Sequence, residues 1–357
     1  MNSAIAAARL RNQLVTRARR GGPADVVRWL GAVQAQEYPF ARWALGLRMG
    51  AAATDAAIER AFDDGTILRT HVLRPTWHFV TPADIRWMLE LTAPHIHRAM
   101  ASYNRRLELD PPTLHQAIRT FERALRDGRP LTRAELAGQL ADAGLVARGQ
   151  RLAHIVAHAE LEGVVCSGPR RGKQFTYALL AERAPAARSL PHDEALSELT
   201  LRFFRSHGPA TIRDFAWWAG LPAAQIKRGL EMNRARAAEI DGRTYWTIGR
   251  AARVTAAPAA VHLLPIYDEY LVAYRDREAV PHGPMTITTE SRAKVMFLHA
   301  LVIDGAIAGT WKPRSDADGV SIEVTPLRRL TAAERHGIAE AAERYGKFLD
   351  VPVRAMT

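Results

Sequence analysis

A repeated order of helices and strands is the feature that most limits how this chain can fold. Residues 113–130, 131–144 and 150–163 each place apolar side chains at helical spacing. The second segment begins with Thr132 and has Glu135 three residues later, a capping box typical of a helix start. Two strand-like runs then flank the turn "GPRRGK" (168–173). Three helices followed by a basic hairpin are typical of a winged helix, a fold that usually binds DNA.

A similar order of elements occurs on both sides of this segment. After it, helical patterns from about Asp193 to residue 233 lead into a hairpin with Asp241-Gly242 at its turn. Before it, four helical stretches lead into the strand-like run "TILRTHVLRPTWHFVT". The last hundred residues differ, with apolar strand-like runs from Val261 and Val295 and a closing helix at 331–349. We predict a mainly α fold with β wings (α+β). It would comprise winged-helix domains at 1–108, 109–190 and 191–357, the third fused to a small C-terminal α/β element.

Composition limits the class of protein and its partners. The chain has 357 residues, 48% of them hydrophobic and 24% charged, which indicates a globular protein of more than one domain. The 49 Lys and Arg residues against 37 Asp and Glu residues give a net charge of +12, which favours a polyanionic partner. No apolar run approaches the roughly 20 residues of a membrane span, and no signal-peptide pattern begins the chain. We therefore expect a cytoplasmic, nucleoid-associated protein with no membrane partner.

Signatures of metal or cofactor chemistry are scarce. Cys166 is the only cysteine, so one chain can form neither a disulfide nor a cysteine-based zinc site. We find no phosphate-binding loop, dinucleotide fingerprint or zinc-protease motif. His154 and His158 share a helical face but show no third ligand nearby in the sequence, and His95 and His97 lie on opposite sides of a helix. We expect no metal and no cofactor.

Two predicted hairpins carry candidate DNA-binding residues. The first hairpin contains "HVLRPTWHFV" (71–80). Alternation along its strands would aim some side chains at a core and others at an exposed face, and a tryptophan there is more often part of a core. In the second hairpin, around "GPRRGK" (168–173), a solvated turn is the alternative to a row of phosphate contacts. Given the net charge and the winged-helix pattern, we predict DNA contact for both. The candidates are His71, Arg74, Thr76, Trp77 and His78 in the first hairpin and Arg170, Arg171 and Lys173 in the second.

The stretch "AVQAQEYPFARWAL" (32–45) contains two amides, Gln34 and Gln36. Positions i and i+2 point to nearly opposite sides of an α-helix, so both amides can serve one site only where the helix ends or uncoils. The simpler alternative is that they cap or decorate a helix end. A carboxamide can orient a water molecule without ionising, but it cannot deprotonate that water. Hydrolysis by two amides would therefore need a substrate that is already primed to leave.

Five blocks of sequence, in order, resemble the AlkZ/YcaQ-type DNA glycosylases over nearly the whole chain. The blocks are "AVQAQEYPFARWAL", "RTHVLRPTWHFVTPADI", "GPATIRDFAWWAGL", "LLPIYDEYLVAYRDR" and "VIDGAIAGTWKPR". The resemblance implies tandem winged-helix domains in a C-shaped arrangement around DNA. It also implies excision of alkylated purines or unhooking of interstrand crosslinks. The family's catalytic signature is Gln, an apolar residue and then Gln in the AlkZ-like branch or Asp in the YcaQ-like branch. The three positions here are Gln34, Ala35 and Gln36, so the resemblance points to the AlkZ-like branch.

The resemblance agrees with the chemistry of two neutral amides. Alkylation at N7 of guanine or N3 of adenine makes the base cationic and weakens its glycosidic bond. We predict a monofunctional glycosylase, acting as a monomer on double-stranded DNA with alkylated purines, in which Gln34 and Gln36 position the water. Glu37 and Asp268 are the candidates for a supporting role. The alternative is a winged-helix transcription regulator or a non-catalytic damage-binding protein, since most winged helices only bind.

Overall fold

The computed structural model describes residues 2–18, 21–249, 260–275, 277, 279–280, 297–316 and 319–356. The chain divides into two compact units. Unit 1 contains residues 1–59, 200–218 and 222–357, and unit 2 contains residues 60–199 and 219–221. The three-domain division predicted above, at 1–108, 109–190 and 191–357, remains a prediction.

The described helices have these bounds. In chain order they are α1 (Asn2–Asn12), α2 (Pro23–Leu30), α3 (Tyr38–Met49), α4 (Asp55–Asp63), α5 (Ile85–Arg106), α6 (Pro111–Ala124), α7 (Arg133–Asp142), α8 (Gly149–Leu161), α9 (Leu180–Arg183), α10 (His192–Ser206), α11 (Ile212–Ala219), α12 (Ala223–Met232), α13 (Glu269–Val272) and α14 (Ala332–Leu349). Within the described ranges, none of them is long and apolar enough to cross a bilayer.

The described strands are mostly short. In chain order they are β1 (Val33–Gln34), β2 (Leu68–His71), β3 (Trp77–Val80), β4 (Leu131–Thr132), β5 (Val165–Ser167), β6 (Thr176–Leu179), β7 (Arg236–Ile240), β8 (Arg243–Thr247), β9 (Val261–Leu264), β10 (Ala300–Ile303), β11 (Ala306–Asp316), β12 (Gly319–Pro326) and β13 (Val353–Met356). The chain is therefore a mixed α/β protein with more helix than strand, as the sequence predicts.

The middle of unit 2 has the predicted succession of three helices and a hairpin. Helices α6, α7 and α8 precede β5 and β6, and the short β4 joins them in a sheet of order β4-β6-β5. The Thr132 hydroxyl accepts a hydrogen bond from the backbone of Glu135, and the Glu135 carboxylate accepts one from the backbone of Thr132 at 2.7 Å. The predicted capping box is therefore formed. This order of elements is consistent with a winged helix.

A second succession of the same kind lies mainly in unit 1. Helices α10, α11 and α12 precede the hairpin of β7 and β8. Asp241 and Gly242 link the two strands with φ values of 50° and 72°. Two consecutive residues with positive φ form the turn that matches the twist of a two-stranded ribbon. The Asp-Gly turn predicted from the sequence is therefore present.

The C-terminal α/β element of unit 1 is a five-stranded sheet with α14 packed on it. The strand order is β13-β12-β11-β10-β9, and only the β12–β13 pair is parallel. The sequence predicts a strand from Val295, but that residue lies outside the described ranges and the strand begins at Ala300. Trp43 of α3 lies against Tyr345 and Phe348 of α14, with ring centroids 4.9 and 5.1 Å apart. Helix α3, which follows the glutamine segment, is thus fixed to this element.

Candidate active site

The glutamine segment lies in a break between two helices of unit 1. Helix α2 ends at Leu30, and Gly31 follows it with φ 89°, a value that glycine adopts without a steric penalty. Gln34 belongs to strand β1, Gln36 lies in a bend, and α3 begins at Tyr38. Neither amide is in a helix. The condition that the sequence sets for a shared site, an interrupted helix, is therefore met.

The side chains of this segment become more exposed along the chain, from Gln34 to Glu37. Gln34 is 6% exposed and Ala35 is fully buried, whereas Gln36 is half-buried and Glu37 is exposed. Ala35 is small and buried, so the backbone between Gln34 and Gln36 can pack close to the core. Glu37 is the N-cap residue of α3 but makes no side-chain cap hydrogen bond. Its carboxylate therefore remains near solvent at the helix N-terminus, where a negative charge is favoured.

A buried carboxylate holds the backbone of Gln34. The Gln34 N–H donates to Oε1 of Glu269 at 2.8 Å, and Glu269 is fully buried. Its other oxygen accepts a hydrogen bond from the Trp218 indole at 2.9 Å and lies 3.3 Å from Nε2 of His207. Burial lowers the pKa of His207 below its ordinary value. Glu269 thus connects the glutamine segment to α10 and α11, a connection that the sequence does not reveal.

Asp268 makes a different connection. Its two carboxylate oxygens each accept a hydrogen bond of 2.8 Å from the guanidinium of Arg48, and both side chains are fully buried. Burial acts to lower the pKa of Arg48, but the Asp268 carboxylate outweighs it, and the pKa is raised. Asp268 also caps α13 by accepting from the backbone of Tyr270. The structure therefore places Asp268 against Arg48 and its neighbour Glu269 against Gln34.

Aromatic side chains surround the exposed end of the segment. Burial and then the charge of Glu37 raise the pKa of the Tyr267 hydroxyl. Tyr267 has φ 59°, a left-handed conformation that costs energy for a bulky residue and is often found at functional sites. Its ring lies edge-on to Phe297 at 5.6 Å, and Phe297 is 51% exposed. Tyr267 and Phe297 therefore form a partly exposed aromatic pair.

His299 packs against Phe40 in the first turn of α3. The ring centroids of Phe40 and His299 are 4.3 Å apart, and Nδ1 of His299 accepts a hydrogen bond from the backbone of Ile266 at 3.1 Å. Burial, followed by the charge of Lys312, lowers the pKa of His299 to about 4. A neutral imidazole at ordinary pH is the form that can accept this bond. His299 therefore supports the loop that carries Tyr267.

The first predicted DNA-binding hairpin lies in unit 2 and is formed by β2 and β3. Its buried members are His71, which is hydrogen-bonded to Glu160 and lies 4.5 Å from the Trp77 ring, and the fully buried His78. Arg74, Thr76 and Trp77 are half-buried at the tip. His71 pairs with Trp77 and His78 pairs with Thr70, so the two histidines lie on opposite faces of the hairpin, and both faces are covered by protein. The surface available to DNA is the tip.

The second hairpin carries its cations near solvent. Arg171 and Lys173 are exposed, whereas Arg170 is half-buried with its backbone N–H donating to Asp63 at 2.7 Å. Arg171 forms an ion pair with Glu135 at 2.7 Å. Hydrogen bonds from the backbone of Thr132 and from Arg171 lower the pKa of Glu135 to about 2. A phosphate would therefore compete with a carboxylate for Arg171.

His154 and His158, which share a helical face, have different neighbours in the structure. Nδ1 of His154 lies 2.8 Å from the amide oxygen of Asn104. Among the residues that the structure describes, His158 instead groups with His97 and Glu162. The sequence could not indicate this group, because His97 belongs to α5 and the other two residues belong to the C-terminal end of α8.

Comparison with known proteins defines the class. The sequence profile of the AlkZ-like DNA glycosylase family matches residues 27–348. The chain is 27% identical over 360 residues to an interstrand DNA cross-link repair glycosylase of Streptomyces sahachiroi, covering 94% of this chain and 96% of that protein. Its fold is similar to the solved structure of Streptomyces sahachiroi DNA glycosylase AlkZ, with TM-score 0.79, 22% identity and 99% coverage of both chains.

The profile covers most of the chain, and the class of protein is therefore a DNA glycosylase, a hydrolase of N-glycosyl bonds with DNA as its partner. More narrowly, the chain belongs to the AlkZ-like family of DNA glycosylases.

Proposed function

We propose that this DNA glycosylase releases cationic alkylated purines, such as N7-alkylguanine and N3-alkyladenine, from double-stranded DNA by simple hydrolysis. The observation that carries the proposal is the placement of Gln34-Ala35-Gln36 in a helix break, with the backbone of Gln34 held by fully buried Glu269. This hydrogen bond holds the main chain of the segment in place and leaves the side-chain amide of Gln34 available for other contacts. Fixed dipoles contribute most to catalysis when they need no reorganisation.

The chemistry follows from the neutral character of the amides. Gln34 and Gln36 would orient a water oxygen toward C1′ of the damaged nucleotide, and their carbonyl dipoles would stabilise the positive charge that develops on the sugar. As the C1′–N9 bond breaks, its electrons neutralise the cationic purine, which leaves without needing an acid. The water oxygen then bonds to C1′ and loses a proton. Near-solvent Glu37 is the group placed to accept that proton or to pass it to water.

Asp268, the other candidate for a supporting role, is placed differently from Glu37. Asp268 is engaged by the Arg48 guanidinium through both of its oxygens and is fully buried. Neither carboxylate oxygen is therefore open to a water molecule at the segment. We therefore assign Asp268 a supporting role and rank Glu37 ahead of it as the proton acceptor.

DNA would be held by the two hairpins of unit 2. The tip residues Arg74, Thr76 and Trp77 supply a cation, a hydroxyl and an aromatic face, and Arg171 and Lys173 supply exposed cations for phosphates. Arg170 is half-buried and would contribute charge from behind the turn. His71 and His78 would act indirectly, by holding the tip in shape. We further propose that the enzyme acts as a monomer with tandem winged-helix domains.

Unhooking of interstrand crosslinks is part of the proposal. The relative of Streptomyces sahachiroi is named for cross-link repair, and it aligns with 94% of this chain. A guanine tethered to the other strand cannot rotate fully out of the duplex, so an enzyme that releases it needs an accessible site. The half-buried Gln36 and exposed Glu37 satisfy that requirement at this end of the segment.

Single-turnover release of 7-methylguanine from a methylated duplex tests the proposal. Gln34→Ala and Gln36→Ala should each lower the rate by about 100-fold or more, which is the usual effect of removing a stabilising dipole. DNA affinity should change by less than about threefold, since the substitutions remove no cation. Gln139→Ala, which removes an exposed amide on α7, is the matched control. Wild-type rates in both site variants would refute the assignment, and a protein that binds methylated DNA but releases no base would be a damage sensor.

A further inference from the structure

A cluster of three metal-ligating side chains lies in unit 2 and includes no residue to which the proposed function gives a role. His97 comes from α5, and His158 and Glu162 come from the last turn of α8 and its C-cap. Nε2 of His97 lies 2.9 Å from Oε1 of Glu162, and Nε2 of His158 lies 3.9 Å from the same oxygen. The two imidazole centroids are 5.0 Å apart. One potential ligand atom from each residue falls within 4.8 Å of the others.

These distances fit a small divalent cation. Zinc binds imidazole nitrogen and carboxylate oxygen at about 2.0–2.2 Å in tetrahedral geometry, which places ligand atoms about 3.4 Å from one another. The two measured separations, 2.9 and 3.9 Å, lie on either side of that value. Small side-chain rotations would therefore bring the three atoms around one ion.

The ligands are held on well-packed elements. Helix α5 spans 22 residues, and α8 contributes Ile155, Val156 and Ala159 to the core of the segment. His158 and Glu162 are four residues apart, so they share one face at the helix end. Sites built on helices keep their geometry better than sites built on loops.

The electrostatic state of the cluster also suits a cation. Burial is the main cause that lowers the pKa of His158. The Glu162 carboxylate contributes the negative charge. Nε2 of His97 is buried and its nearest polar neighbour is Oε1 of Glu162, which is itself a member of the cluster.

The cluster is open to an ion from solvent. The side chains of His158, His97 and Glu162 are 15%, 28% and 44% exposed. A cleft of about 250 Å³ runs beside them and is lined by Arg86, Glu90, Pro94, His97, Glu162 and neighbouring residues. Water in that cleft can complete the coordination shell, because the protein supplies three ligands and a tetrahedral ion needs four.

We propose that His97, His158 and Glu162 bind a divalent cation of the zinc class and thereby tie α5 to the end of α8. Two imidazoles and one carboxylate select zinc, cobalt or nickel over magnesium or calcium, which prefer oxygen ligands. The tie is structural, since it brings no metal to the glutamine segment. It would stabilise the helix that precedes the basic hairpin.

Titration of the metal-stripped, full-length protein with Co²⁺ tests this site. Tetrahedral or five-coordinate Co²⁺ absorbs visible light much more strongly than octahedral Co²⁺, so one equivalent should produce an intense band. No thiolate charge-transfer band should accompany it, because burial raises the pKa of Cys166, the only cysteine, to about 12. Zn²⁺ should displace the Co²⁺ and raise the midpoint of thermal unfolding.

The variants identify the ligands. His97→Ala, His158→Ala and Glu162→Gln should each weaken Co²⁺ binding by roughly tenfold or more. His95→Ala and His154→Ala are matched controls from the same two helices and should bind as the wild type does. Glu162→Gln keeps size and exposure, so it reports on coordination even if a histidine variant unfolds. Absence of a one-equivalent site in the wild type, or equal binding by Glu162→Gln, would overturn the proposal. Because 7-methylguanine release is measured separately, failure here leaves the glycosylase mechanism untouched.

Discussion

Glu269 accepts a hydrogen bond from the backbone N–H of Gln34 at 2.8 Å, although the two residues are 235 positions apart. The carboxylate is fully buried and also accepts a hydrogen bond from the Trp218 indole N–H. A buried acceptor with several donors is costly to remove, because each donor then lies unsatisfied in a medium without water. The position of the glutamine segment therefore depends on a residue that does not itself face solvent.

Glu269→Gln should impair both stability and catalysis. The amide keeps the size of the side chain but replaces one acceptor oxygen with a donor that faces other donors. We expect a loss of about 1–3 kcal/mol in the free energy of unfolding. The rate of 7-methylguanine release should also fall at temperatures where the variant is folded. Urea unfolding and single-turnover assays measure the two effects, and Glu231→Gln, at an exposed position on α12, is the control. An unchanged release rate would show that Glu269 does not position the glutamines.

Glu135→Gln should strengthen DNA binding modestly. Glutamine can replace glutamate in a capping box, so the start of α7 should persist. The ion pair between Arg171 and Glu135 is lost, and Arg171 becomes available to phosphates. Filter binding over a range of salt concentrations gives the slope of the logarithm of the binding constant against the logarithm of the salt concentration. This slope should be steeper in the variant than in the wild type by up to about one unit. Lys173→Ala should change the slope in the opposite direction. If Glu135→Gln binds no better at low salt, the basic turn does not contact the duplex.

Phe297→Ala should weaken substrate binding without unfolding the protein. The ring is about half exposed and packs edge-on against Tyr267, whose pKa is raised in part by the charge of Glu37. Stacking of a nucleobase on such a ring contributes about 1–3 kcal/mol, or about 5- to 150-fold in Kd. Tyr103→Ala removes a similarly exposed ring on α5 and serves as the control. Equal effects of the two substitutions would indicate that neither ring has a specific role.

His262 should make the protein less stable in acid. It is buried in β9, and burial, followed by the charge of Arg344, lowers its pKa to about 4. Between about pH 6.5 and pH 4, the unfolded chain therefore binds a proton that the folded chain does not. The free energy of unfolding should fall as pH falls through this range, by up to about 3 kcal/mol.

Urea unfolding between about pH 7 and pH 5 measures this dependence. His262→Leu should flatten it, whereas exposed His336→Ala should leave it unchanged. His299 contributes with the same sign, because its pKa is also lowered to about 4, so a residual slope is expected in the variant. An identical slope in wild type and His262→Leu would contradict the assignment.

Local features of the fold follow from the sequence because they depend on neighbouring residues. The Thr132–Glu135 capping box and the Asp241-Gly242 turn are formed as predicted. The helix break around Gln34 is also present, since Gly31 ends α2 before the first glutamine. Each of these depends on residues within a few positions of one another, where spacing alone fixes the geometry.

The supports of the site could not be predicted in this way. Nothing in the pair Asp268 and Glu269 indicates which carboxylate meets Arg48 and which meets Gln34, since both contacts span more than two hundred residues. The sequence equally gives no sign that His97 of α5 meets His158 of α8. Such contacts depend on how elements pack, and packing is not encoded in any short pattern. Candidate residues are therefore easier to predict than the residues that hold them.

The hydrogen bond to Glu269 has one more consequence, for the evolution of the enzyme. It uses a main-chain N–H, which every residue except proline possesses. The side chains at positions 34 and 36 can therefore change while the anchor persists. The same scaffold can exchange one reactive group for another and acquire a new preference for damaged bases without first rebuilding its core.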